Sequence, residues 1–204
     1  MLPADQALTR LKEGNRRFVE SIQNPDASGV TRRMQLVTEQ NPVAIILGCS
    51  DARVPAEIVF DQGLGDLFVI RVAGNIVAPS QVGSIEFAAE RFGTRLVVVL
   101  GHSQCGAIRA TLEELQQPAE HQSRNLRSIV DRVRPSVAAL MGTELRNDMD
   151  ALAKQAVRAN VSVSVDHLRH GSEVLEHLIR HDGLRVVGAE YSLETGVVEF
   201  FDGV

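Results

Sequence analysis

The chain of 204 residues contains only two cysteines, Cys49 and Cys105, and each follows a short apolar run that ends in glycine. Cys49 lies in VAIILGCSDARVP, residues 43–55, with Ser50, Asp51 and Arg53 close behind it. Cys105 lies in RLVVVLGHSQCGA, residues 95–107, with His102 three positions before it. Thiolate and imidazole are ligands that zinc prefers, and soft thiolates select zinc over magnesium or calcium. The spacing His102-Ser103-Gln104-Cys105 lets a turn entering a helix aim two ligands at one point. A helix amino terminus at that place lowers the Cys105 thiol pKa. Cys49 supplies a third ligand from a neighbouring strand. Three protein ligands leave a fourth position for water, the pattern of catalytic rather than structural zinc sites. A single buried cysteine is usually just a small hydrophobe, and one HxxC is a weak signal. The matched placement of both cysteines at strand ends favours the metal.

The residues after Cys49 strengthen that reading. Asp51 and Arg53 could be a plain surface ion pair, which carries little energy. A carboxylate two residues from a zinc ligand can instead accept a hydrogen bond from water at the fourth position. An arginine two residues further can hold that carboxylate bidentately and so orient it. If the arginine releases it, the carboxylate can take the fourth position itself and block the site.

These side chains need a scaffold that brings two strand ends together. The runs before Gly48 and Gly101 read as buried strands. In open α/β sheets, ligands bind in the crevice outside the carboxyl ends of such strands. The expected order begins with an amphipathic helix over residues 1–23, a loop at 24–29 and a short helix at 31–39. A first strand ends at Gly48, a short helix covers 56–61, and a second strand covers 67–72. Ser80 is the expected N-cap of a helix over 81–92, closed by Gly93. The strand before Gly101 and a helix to about Gln116 follow. The alternation of strand and helix predicts a mostly parallel central sheet flanked by helices, an α/β fold. Residues 118–180 read as helical with breaks near Gly142 and Gly171, despite Val157, Val161, Val163 and Val165. Two final strands, 184–189 and 197–201, flank a Glu194-Thr195-Gly196 turn. The whole is one domain, with a helical arm at 1–40, the α/β core at 41–117, and a helical region with terminal strands at 118–204. The arm either folds back on its own domain or lies across a neighbouring subunit.

A net charge of −5 argues against nucleic acid or an anionic membrane as partner. No apolar run approaches the ~20 residues that span a bilayer, and the amino terminus lacks the order of a secretory signal. A cytoplasmic protein with two reduced thiols is the expectation. His167, His170, His177 and His181 fall in one expected helix and read as a solvated face. Gly63-Leu64-Gly65 lacks the third glycine of a dinucleotide fingerprint and reads as a turn.

CSDARV at 49–54 followed by GHSQCGA at 101–107 resembles the signature pair of the β-class carbonic anhydrases. FDQGLGDLFVIRVAGN and the closing GAEYSLETGVVEFF are similar to the same family, so the resemblance spans roughly residues 5–202. It implies zinc on Cys49, His102 and Cys105, with Asp51 and Arg53 as the catalytic dyad, in the reversible hydration of carbon dioxide to bicarbonate. It implies a dimer, often paired into a tetramer, with amino-terminal helices over the partner. By the same resemblance Gln40, Phe68, Phe87 and Gly106 match the substrate pocket. From their residue type alone, Phe68 and Phe87 read as core. Arg71 and Tyr191 match two positions of a regulatory bicarbonate pocket whose tryptophan position holds Ile46, so that pocket is incomplete here. Two other functions stand beside this one: a carbonyl sulfide or carbon disulfide hydrolase on the same scaffold, and a non-catalytic zinc or redox-sensing protein.

Overall fold

The computed structural model describes residues 2–22, 29–116 and 123–204. Residues 24–28 of the expected loop at 24–29 and the expected helical start at Pro118 lie outside the described residues. Strands β1 (Ala44–Gly48), β2 (Leu67–Arg71), β3 (Leu96–His102), β4 (Arg185–Tyr191) and β5 (Val198–Asp202) form one sheet in the order β2-β1-β3-β4-β5. The first four are parallel and β5 runs antiparallel to β4. The helices are α1 (Ala4–Val19), α2 (Val30–Gln35), α3 (Ala56–Val59), α4 (Pro79–Arg91), α5 (Gly106–Gln116), α6 (Arg124–Val137), α7 (Met149–His170) and α8 (Glu173–His181).

Every residue of β1 and β3 is buried. Central parallel strands covered on both faces read as continuous apolar runs rather than alternating ones. The two-residue period still sorts their side chains. Ile45, Leu47, Val97 and Val99 pack with Ile85 and Ala88 of α4 and Leu168 of α7. Ile46, Val98 and Leu100 pack on the other side with Ala7, Leu8 and Leu11 of α1. A third apolar cluster, with Ile108, Leu112, Val133 and Leu152, surrounds Cys49 and Cys105. Among the described residues no helix is long and apolar enough to cross a membrane.

Helix α1 folds onto its own sheet. The buried Asn15 amide donates to the carbonyls of Val59 (3.1 Å) and Gly196 (2.9 Å), and its oxygen accepts from Val198 N–H (2.8 Å). Helix α2 buries nothing and stops at Gln35 rather than near residue 39. Ser80 is not a cap. Helix α4 starts at Pro79 with Ala78 before it and no side-chain cap, because proline presets φ and has no N–H to satisfy in the first turn. Strand β3 continues past its apolar run to His102, which pairs with Tyr191 of β4. The four histidines divide between α7 and α8 at the break near Gly171. The valine-rich stretch is helical because Val157, Val161 and Val165, four apart, all face buried surroundings.

Helix α7 lies close against the carboxyl ends of β3 and β4. A Cβ at Gly101 would sit 2.6 Å from Val161 Cγ2, and one at Gly188 would sit 2.8 Å from Val161 Cγ1. Glycine at both positions lets α7 approach. Gly101→Ala is expected to destabilise the fold by about 1–3 kcal/mol through overpacking. The measurement is a lower urea midpoint at unchanged slope. A midpoint equal to that of the parent protein would show that Val161 moves aside freely.

Candidate metal centre

Strand β1 delivers Cys49 at its carboxyl end, and the adjacent β3 delivers His102 as its last residue. Cys105 directly precedes α5. All three residues are buried, and their ligand atoms lie within 4.8 Å of one another. The two thiols are free, with sulfurs 4.0 Å apart. A tetrahedron with zinc–sulfur arms of ~2.3 Å has an edge of ~3.8 Å, so this separation fits one shared zinc ion. His102 Nδ1 lies 2.9 Å from the Ser103 carbonyl oxygen. That contact places the proton on Nδ1 and leaves Nε2 as the lone-pair nitrogen. Nε2 is buried with no hydrogen-bond partner. An orphaned imidazole nitrogen facing two sulfurs is the donor set a soft divalent metal completes.

The three side chains set one another's proton affinity. Cys49 is pulled well below the ordinary thiol range, first by a hydrogen bond from Cys105, against burial, and then by His102 and the Gly74 N–H. Gly74 N–H reaches Cys49 Sγ at 3.4 Å. The helix start was expected to lower Cys105. The Ala107 and Ile108 N–H groups do act in that direction, but the contact with Cys49 and burial outweigh them, and Cys105 is raised. Burial lowers His102, and Cys49, the Ser103 carbonyl and Asp51 together raise it by more.

Asp51 stands beside this cluster, its Oδ2 3.9 Å from His102 Nε2. Arg53 holds it through Nε to Oδ1 (2.9 Å), Nη2 to Oδ2 (2.8 Å) and backbone N–H to Oδ1 (3.0 Å). Both carboxylate oxygens of Asp51 are thus held by Arg53. The same hydrogen bonds push its pKa far below the usual carboxylate range. A depressed native pKa contributes stability that is fully present above the ordinary value of ~3.9 and is lost as pH falls through the native value. Asp51 is therefore expected to stay ionised from pH 9 down to 4. A flat carboxyl-carbon NMR shift over that interval checks this, and a titration step above pH 4 would contradict it.

The other sequence-predicted residues fall into two groups. Arg71 is brought to the loop: its Nε donates to the Cys49 carbonyl at 3.0 Å and its Nη2 to the Asp51 carbonyl at 2.5 Å. Gly106 opens α5 beside Cys105, with open space where a side chain would be. Of the remaining four, Tyr191 pairs in register with His102, while Gln40, Phe68 and Phe87 are not brought to the ligands within this chain. Tyr191 is buried in the α1-side core, its ring 6.4 Å from Phe18. It lies on β4, three strand spacings or about 14 Å from Arg71 on β2. Gln40 is exposed and precedes the amino end of β1. Phe68 pairs in register with Ile45, below the level of Cys49, and its ring is 6.3 Å from that of Phe87. Phe87 is 53% exposed.

Sequence reasoning missed Asn160. It is 2% exposed on α7, and its amide donates to the Gly74 carbonyl at 2.8 Å while Ser136 Oγ contacts its oxygen at 3.4 Å. Asn160 thus fixes the turn whose N–H points at Cys49. Its one signal in the sequence is an asparagine on the helix face that otherwise carries Val157 and Val161. Glu194 was read only as part of a turn. Its carboxylate accepts from Ser103 Oγ at 2.8 Å and Gln104 Nε2 at 2.7 Å, between two ligand residues.

A sequence model of the carbonic anhydrase family matches residues 44–198. The carbonic anhydrase of Mycolicibacterium smegmatis is 40% identical over 190 residues, covering 93% of this chain and 89% of that protein. The β-carbonic anhydrase of Coccomyxa, solved with acetazolamide, has a TM-score of 0.73 at 25% identity, covering 95% of this chain and 86% of that one. Two tetrameric β-carbonic anhydrases are described from Sordaria macrospora; the structure compared shares the fold at 24% identity, with a TM-score of 0.74 over 83% of this chain and 85% of that one. Both signature stretches fall inside the matched residues, and with the Cys-His-Cys cluster and its arginine-held carboxylate they make this chain a member of the β-class carbonic anhydrase family.

Proposed function

We propose that this chain catalyses the reversible hydration of carbon dioxide to bicarbonate and a proton. Zinc is held by Cys49, His102 and Cys105, and Asp51 and Arg53 form the catalytic pair. The observation that carries this is the convergence of two sulfurs and an unpartnered imidazole nitrogen beside a carboxylate that an arginine grips by both oxygens. Zinc, when bound, is a Lewis acid that lowers the pKa of a coordinated water.

The chain's own residues do the rest. Asp51 Oδ2 accepts a hydrogen bond from the attacking water and turns a lone pair toward the carbon. Because Asp51 is ionised it can only accept, so it favours an oxygen that still carries hydrogen. Arg53 keeps the carboxylate in that orientation, and Arg71 holds the loop through the Cys49 and Asp51 carbonyls. Apolar neighbours such as Ile76 and Ile108 suit a substrate with no charge to bind. The product proton leaves to solvent or buffer.

The working unit in this reading is a dimer or tetramer. Strand β2 is an edge, yet Leu67 to Ile70 are apolar and only partly buried. Val30 and Met34 of α2 are also exposed. An apolar edge of that kind is normally covered. A second copy would bring Gln40, Phe68 and Phe87 of one chain toward the metal centre of the other as pocket residues. Free thiols that must stay reduced to hold zinc suit the cytoplasm.

Stopped-flow carbon dioxide hydration from pH 6 to 9, with zinc measured on the same sample, tests the function. Turnover proportional to zinc content is expected. Zinc-replete protein without hydration would overturn the reading.

A further inference from the structure

We propose that Glu194 is a positioning residue for the zinc centre: it fixes the Ser103–Gln104 dipeptide so that the Ser103 carbonyl sets His102 and the Gln104 carbonyl sets Arg53. The proposal deepens the function proposed above and rests on its zinc site.

Ser103 and Gln104 are the whole connection between the ligands His102 and Cys105. Gln104 has φ +56°, a left-handed conformation that side chains other than glycine rarely adopt. A turn in that state needs external support to persist. Glu194 supplies it from the β4–β5 connection, some ninety residues later. One carboxylate oxygen takes Gln104 Nε2–H at 2.7 Å, and the other takes Ser103 Oγ–H at 2.8 Å and Ser192 Oγ–H at 3.1 Å. Ser103 Oγ in turn accepts Leu193 N–H at 2.9 Å, and Ser103 N–H donates to the Tyr191 carbonyl at 2.9 Å. The donors hold the Glu194 pKa down to about 2 although the side chain is exposed. A carboxylate with three donors on two elements is a tether rather than a solvated surface charge.

The consequence lies in the backbone oxygens of the tethered pair. The Ser103 carbonyl faces His102 Nδ1 at 2.9 Å and so selects Nε2 as the ligand atom. The Gln104 carbonyl accepts from Arg53 Nη2 at 3.4 Å, a third anchor for the arginine that holds Asp51. Without Glu194 the Gln104 turn relaxes toward negative φ, and both carbonyls shift together. Partners that orient metal ligands in this way typically change metal affinity or activity by about 10–100-fold when removed.

The test loads zinc into the full-length protein, follows zinc release to an excess of chromogenic chelator, and measures hydration kinetics and Tm on the same preparations. Glu194→Ala is expected to release zinc about 10–100-fold faster and to lose kcat with little change in KM. Glu194→Gln is expected to fall between, because its one carbonyl oxygen still accepts. Gln104→Gly added to Glu194→Ala is expected to slow release again, since glycine holds positive φ unaided. Gly14→Ala, where a Cβ would clash with the Phe60 carbonyl on the α1 face, is the control for general destabilisation. Release from Glu194→Ala within twofold of the parent, or equal acceleration in Gly14→Ala at matched Tm, would overturn the proposal. If Glu194→Ala does not fold, Glu194→Gln is judged by the same criteria. A parent protein that takes up no zinc would instead refute the zinc site itself.

Discussion

Asp51→Asn is expected to keep its full zinc content and lose at least about 100-fold in kcat, the lower end of what one positioned acid–base group contributes. Asparagine matches the carboxylate in size, so the buried ligands 49, 102 and 105 are undisturbed. The charge is gone, however, and one oxygen becomes an NH2 group. Arg53 presents Nε and Nη2 to two acceptors, and an amide offers only one. The side chain either turns its oxygen to Arg53 and its NH2 to the metal centre, or breaks the fork. In the first case it donates where an acceptor is needed. In the second the arginine no longer orients it. Stopped-flow kinetics and metal analysis on one sample decide the matter. Turnover equal to the parent's would remove Asp51 from the mechanism, and loss of zinc with turnover would make it a structural residue instead.

Cys49→Ser is expected to act one step earlier, on the metal. A serine hydroxyl is a harder and far less acidic ligand than a thiol whose pKa is already lowered by Cys105, His102 and Gly74. It also leaves Cys105 without its sulfur neighbour at 4.0 Å. Zinc affinity should fall by more than the ~100-fold that marks loss of an outer hydrogen-bond partner, and hydration should fall in proportion to retained zinc. Because a bound metal stabilises the fold by linkage, a chelator should lower the Tm of the parent toward that of the variant and leave the variant unmoved. Stoichiometric zinc in purified Cys49→Ser would sink the three-ligand assignment.

Much of the fold followed from local pattern. The valine and isoleucine runs before Gly48 and Gly101 read as buried strands and are strands buried along their whole length, and the helix from Gly106 follows the HxxC turn directly. The Glu194-Thr195-Gly196 turn between the last strands is likewise visible in its residue types. The misplaced N-cap at Ser80 shows the limit of such signals: a good capping residue lost to Pro79, one position earlier, whose ring presets φ for the first turn and leaves no N–H there to cap. The valines of α7 show another, since their β-branched preference yields to the burial of every fourth side chain.

The sequence by itself singled out the proposed metal ligands and the proposed pair Asp51 and Arg53, because each lies within a few residues of a strand end and its chemistry is set by type and spacing. Only the tertiary structure decided which distant groups hold them. Asn160 reaches Gly74 across 86 residues, Arg71 reaches Cys49 across 22, and Glu194 reaches Ser103 across 91. Those pairings come from strand order and from the close approach of α7 over Gly101 and Gly188. No local period encodes them, because a hydrogen bond between two elements exists only once both have packed.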